Sequence, residues 1–168
     1  MNMKTRRLPW VRATTTLVCL AAAGLAQAQF RISTEGCRYS PAEIEAALGF
    51  ATQDGRGGEV RIGASRQLSC NYLGKGSAHS LVLSQVLVEG GVTEASARSM
   101  APGRLDRIDG DADGAGWHVP PGDSGADLIL AYLRGGVWTS VRVSGVDPNN
   151  AEMQRVLRQR LLSLRRLP

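Results

Sequence analysis

The first apolar positions form a block rather than a pattern. Residues 17–25 run Leu-Val-Cys-Leu-Ala-Ala-Ala-Gly-Leu, preceded by Lys4, Arg6, Arg7 and Arg12 with no acid, and followed by Ala26-Gln27-Ala28. A basic start, a short apolar stretch and small residues at the end make up a cleavable secretory signal, so residues 1–28 read as a leader and the mature chain begins at Gln29. The block is shorter than the roughly 20 apolar residues needed to span a bilayer, and no later stretch comes closer. Thr5-Arg6-Arg7-Leu8 hints at a twin-arginine signal, although Pro9 stands where that motif carries an aromatic. Cys19 follows Thr16-Leu17-Val18, without the small residues of a lipid-attachment site.

From Ser40 the pattern becomes periodic. Ser40-Pro41-Ala42-Glu43 is a capping box with proline at the first helical position, opening a helix that ends at Gly49. Between Glu59 and Val88 the period drops to two. Val60 and Ile62, then Leu68, Cys70 and Tyr72, then Leu81 to Leu83 with Val86 and Val88 predict three strands of a meander. Thr93 caps a short helix through Met100, closed by Pro102-Gly103. Residues 104–124, rich in Gly, Asp and Pro, read as one long irregular loop of the kind that is functional or mobile in a small domain. Asp127 to Leu133 and Val137 to Val146 flank Gly135-Gly136 and predict a hairpin. Asp147-Pro148 opens a last helix whose Met153, Val156, Leu157, Leu161 and Leu164 form one stripe. This order predicts a single α+β domain over residues 29–168, an antiparallel sheet of about five or six strands with N-terminal, middle and C-terminal helices packed on it.

Charge changes the picture once the leader is set aside. The chain has 20 basic and 15 acidic residues. Four of the bases lie in the leader, which leaves a mature domain with one excess positive charge. Five arginines against one glutamate crowd residues 151–168, so the body is acidic and a nucleic-acid partner is not expected. The same cut removes Cys19, leaving Cys37 and Cys70 in an oxidising compartment, where pairing is the default. Their disulfide would pin the first helix to the middle strand and contribute about 3 kcal/mol.

Several groupings could carry chemistry. Asp109, Asp111 and Asp113 alternate with small residues ahead of Gly114, as a calcium loop requires, but the position for a bidentate Glu is Pro120. A calcium-dependent module is therefore an alternative, set against a solvated acidic turn. Gly122-Asp123-Ser124-Gly125 looks like the serine-protease nucleophile motif, and Ser77-Ala78-His79-Ser80 faintly like its histidine motif. The chain is far too short for that family's two barrels, so a hydrolase would be of an unrecognised type. Trp117 and His118 sit side by side before two prolines; Trp138 and Arg142 share one face of the last strand, suited to a ligand contact or to core packing.

Cys37 ahead of the Ser40 to Gly49 helix, Cys70-Asn71-Tyr72, Gly110-Asp111-Ala112, Arg134-Gly135-Gly136-Val137-Trp138 and the closing helix together resemble small bacterial cell-envelope proteins. These are families of unknown function that include lipoproteins and have relatives among sensor-type extracytoplasmic domains. The resemblance spans nearly the whole mature chain on loose motifs. It implies an α+β fold with bridged cysteines and a binding or sensing role, it makes Asp111 part of a turn, and it supplies no catalytic residues. The expectation is a periplasmic or secreted domain binding an envelope protein or a small molecule, without a cofactor, and with Trp117, His118, Trp138 and Arg142 as candidate contacts.

Overall fold

Residues 28–168 are described in a computed structural model. The expected leader lies almost wholly outside the described residues.

Eight strands form one sheet in the order β1-β2-β3-β4-β8-β7-β6-β5, and every neighbouring pair is antiparallel. They are β1 (Gln29–Ile32), β2 (Arg56–Ile62), β3 (Ser65–Leu73), β4 (Ser80–Val88), β5 (Arg104–Arg107), β6 (Gly116–Val119), β7 (Asp127–Arg134) and β8 (Val137–Ser144). Among the described residues three short helices accompany the sheet: α1 (Pro41–Leu48), α2 (Glu94–Met100) and α3 (Ala151–Ser163). The expected α+β domain with a five- or six-stranded sheet is therefore corrected to an eight-stranded antiparallel sheet carrying three short helices. The additional strands are β1, β5 and β6. Two of them come from the segment read as an irregular loop, which pairs as Arg104 to Arg107 against Gly116 to Val119.

The helix signals acted where they were read, with one displacement. Ser40 accepts from the Glu43 N–H at 3.2 Å, and Gly49, at φ 79°, closes α1 in the left-handed conformation that glycine adopts without strain. Thr93 and Ser96 cap α2 reciprocally. The last helix starts later than Asp147-Pro148 suggested. Asp147 accepts from the Asn149 N–H in a turn, and Asn150 becomes the cap, accepting from Met153. In the final hairpin, Gly135 and Gly136 both take positive φ, which a tight turn matched to the strand twist requires.

Strand alternation gives the sheet two different faces. On one, Cys70, Tyr72, Leu81, Leu83, Leu130 and Val143 are closed over by Ile44 and Leu48 of α1 and by Leu157 and Leu161 of α3. Each fully buried leucine, isoleucine or valine among them contributes about 1.5–3 kcal/mol. Tyrosine hydroxyls stitch the cover down: Tyr72 accepts from the Tyr39 N–H at 3.1 Å, Tyr132 accepts from the Leu167 N–H at 3.0 Å, and Tyr39 donates to the Arg165 carbonyl at 2.9 Å. Burial, followed by the neighbouring Tyr132, raises the Tyr39 hydroxyl far above its ordinary range. Cys37 and Cys70 are bonded, with Cα atoms 5.0 Å apart, so the segment leading into α1 is fixed to β3.

The other face is only partly covered. Short α2 brings Val92 and Ala97 onto Ala131 and Trp138, and this smaller cluster leaves the rest of that face open.

Candidate functional site

Trp138, Ser140 and Arg142 stand on β8 at alternate positions, all on the partly covered face. Their ladder partners are Val86, Ser84 and Val82 on β4, and Leu133, Ala131 and Ile129 on β7. These strands floor a groove of about 430 Å³. One wall is the end of α2, with Met100, Ala101 and Pro102. The other is His118 of β6 with Pro120 and Pro121 of the following loop.

Most of the groove's polar groups are tied in place. Gln67 Nε2 donates to Ser84 Oγ at 3.2 Å, and His118 Nε2 donates to the Pro102 carbonyl at 3.2 Å, linking the walls across β5. Arg142 is held less closely: its Nη1 lies 3.5 Å from Asp127 Oδ2, and its side chain is 47% exposed. It is the one permanent charge among the lining residues, and no acid lines the groove. Trp138 is nearly buried, with part of its ring surface in α2's cluster and part in the groove.

Three of the four side chains singled out from the sequence thus line one groove. Trp117 does not join them. It neighbours His118 on β6, so it projects from the opposite face, where the Arg158 guanidinium of α3 lies 4.9 Å from its ring centre. Its partners there are the core and α3.

The acidic loop between β5 and β6 is organised around Asp111. Asp111 Oδ1 accepts from the N–H groups of Asp113 and Ala115 at 3.0 and 3.1 Å, while Oδ2 accepts from Arg166 Nη2 at 3.0 Å. Asp113 lies 3.7 Å from Arg134, and Asp109 is exposed. Protein donors therefore occupy both oxygens of the central aspartate. Among the described residues, no group of three His, Cys, Asp or Glu side chains is placed to hold a metal ion. The Gly122 to Gly125 segment is a tight turn in which Asp123 accepts from the Gly125 N–H at 3.1 Å, and His79 packs against Phe50 instead, ring centres 5.4 Å apart.

Two other features gave no sequence signal. Glu59 of β2 is fully covered by Arg31, Arg61 and Arg66, whose own side chains are partly exposed. The hydrogen bond from Arg66 leads, with help from Arg61 and Arg31, in lowering its carboxyl from 4.5 to about 2, against the opposing effect of burial. A second cleft of about 390 Å³ lies between the end of α1 and the start of α3, lined by Phe50, His79, Met153 and Val156 among others. The groove residues Met100 and Ser140 were invisible for a simpler reason: they become neighbours only when α2 crosses the sheet.

Among the described residues no helix is long and apolar enough to cross a membrane. Comparison with protein-family models, curated proteins and solved structures found no match.

Proposed function

We propose that this chain is an exported binding domain, periplasmic or secreted, that takes a partner or small ligand in the groove between α2 and the Pro120-Pro121 loop. The observation that carries the reading is the convergence of His118, Trp138 and Arg142 on that one concavity. Its volume falls within the range of small-molecule sites, and its make-up of mostly apolar walls with a few placed polar groups matches theirs. The disulfide is compatible with an oxidising compartment, as are the leader pattern and the resemblance to cell-envelope proteins.

The chemistry of the lining indicates the class of ligand. Prolines, Met100 and the accessible part of Trp138 suit an apolar or aromatic body. Arg142, held only loosely by Asp127 at 3.5 Å, an acid that does not line the groove, suits a carboxylate or another anionic group.

The test is a nuclear magnetic resonance screen of small aromatic and aliphatic carboxylates against the labelled chain. Shifts are expected at Ser140, Arg142 and His118, and should be lost in Ser140→Trp, which fills the floor without entering the core. Hits that map to the cleft beside Phe50 and His79, or that survive Ser140→Trp in a folded protein, would overturn the reading.

A further inference from the structure

The two edges of the sheet are finished differently. β5 puts Arg104, Asp106 and Arg107 into four residues; Arg104 bridges Asp106 at 2.6 Å and Arg107 bridges Glu94. Charge on an edge strand discourages another strand from adding to it. β1 has no such protection at Phe30 and Ile32, which are 71% and 86% exposed.

The backbone at β1 is equally open. Ser33 N–H donates to the Gly57 carbonyl at 3.2 Å, and main-chain direction alternates along an antiparallel ladder. Ser33, Arg31 and Gln29 therefore turn their amides toward β2, while Phe30 and Ile32 turn theirs outward. Among the described residues, the two with the most exposed large apolar side chains also turn outward main-chain donors and acceptors that no described strand pairs with. Phe30 is already positioned, since its ring lies over Gly58 of β2, so near that a Cβ there would come within 3.0 Å of a ring carbon. One side of the ring is seated and the other is bare.

We propose that β1 pairs antiparallel with β1 of a second copy of this chain, with Phe30 opposite Phe30 across a two-fold axis. An antiparallel edge is complementary to itself, and a residue on the dyad exchanges N–H to C=O bonds in both directions. This register sets the two Phe30 rings side by side on one face. On the other it sets Gln29, whose amide oxygen can accept, opposite the Arg31 guanidinium. Sliding by two residues would instead place Arg31 opposite Arg31, and like charges directly across a ladder are destabilising. The charged β5 edge disfavours head-to-tail addition, so the assembly closes as a pair. In the exported chain this register overlaps only Gln29 to Arg31 of each strand, far less than a standard interface, so a weak pair that dissociates in the high micromolar range is expected.

Sedimentation velocity of the purified exported chain, from about 5 to about 500 µM, tests this. A concentration-dependent monomer–dimer equilibrium is expected. Phe30→Pro removes an outward N–H that β2 does not use, so it should weaken pairing by at least about tenfold while leaving the melting temperature close to that of the wild type. Phe30→Cys should cross-link the pair on mild oxidation. A wild type that stays monomeric throughout the range overturns the proposal, as does a folded Phe30→Pro variant that still dimerises like the wild type. Failure of Phe30→Cys to cross-link in a protein that still dimerises would overturn the register.

Discussion

At the scale of single residues, charge is placed with large differences in consequence. Glu59 has a folded carboxyl lowered from 4.5 to about 2 by three arginines, Arg66 first. A depressed carboxylate contributes stability above its unfolded value and loses it as pH falls through its folded one. Stability should therefore decline between about pH 4.5 and pH 2 more steeply in the wild type than in Glu59→Gln. Glu94 and Glu152 are also depressed, chiefly by hydrogen bonds from Arg98 and Arg155, so the informative quantity is the difference between the two proteins in urea unfolding across that range. A wild-type curve parallel to the variant's would refute the assignment. Asp111 and Asp109, two residues apart, make the opposite comparison. Asp111→Ala strips the acceptor from Arg166, whose Nη1 is already buried without a partner, and from two backbone N–H groups. The expected cost is about 1–3 kcal/mol, against under about 0.5 kcal/mol for exposed Asp109→Ala. A calcium loop would need both, so melting curves in calcium and in chelator are expected to coincide; a rise with calcium would restore the metal reading.

At the scale of elements, legibility followed the amount of local pattern each segment carried. α1, α2, β2 to β4 and the β7–β8 hairpin announce themselves through caps, alternation and turn glycines, and their limits hold to within a few residues. β1, β5 and β6 have only four residues each, too few to establish a period of two, and β5 is three-quarters charged. β1 and β6 exist because the longer β2 and β7 stand ready to pair with them, and β5 because β6 is then in place, which in each case is a property of the partner. That omission propagated to the site. With residues 116–119 read as loop, Trp117 and His118 looked like neighbours on one surface; on a strand, adjacent residues take opposite faces, and only His118 reaches the groove. The disulfide was the long-range contact that cysteine counting could supply, and it joins the segment before α1 to the middle of β3 across 33 residues. Replacing both cysteines by alanine should cost about 3 kcal/mol in denaturant unfolding, and thiol titration of the untreated chain should find no free thiol at either position. A loss below about 1 kcal/mol would mean that the Tyr39 and α1 contacts hold this segment unaided.

At the scale of the whole molecule, the strand order divides into two four-stranded meanders, β1 to β4 and β5 to β8, that meet only where β4 pairs with β8. A chain built this way could behave as two units, each with its own transition. The packing argues otherwise. The cover over Leu81 and Leu83 of the first meander and over Val141 and Val143 of the second is the same: α1 comes from one half, α3 from the other, and the two helices touch. After α3 the chain returns across the seam, where the Pro168 carbonyl accepts from Gln85 of β4 and the Leu167 N–H donates to Tyr132 of β7. Neither meander can keep its apolar face dry without an element of the other, so unfolding should be a single cooperative event. In the chain without residues 1–28, which hold Trp10, tryptophan fluorescence reports Trp117 and Trp138, both in the second meander, and circular dichroism reports strands of both. Their urea transitions are expected to share one midpoint, and Leu161→Ala, in the shared cover, should shift both together by about 2–5 kcal/mol. If the fluorescence transition separated from the circular dichroism transition, the halves would be independent and the β4–β8 seam would be a boundary inside the sheet.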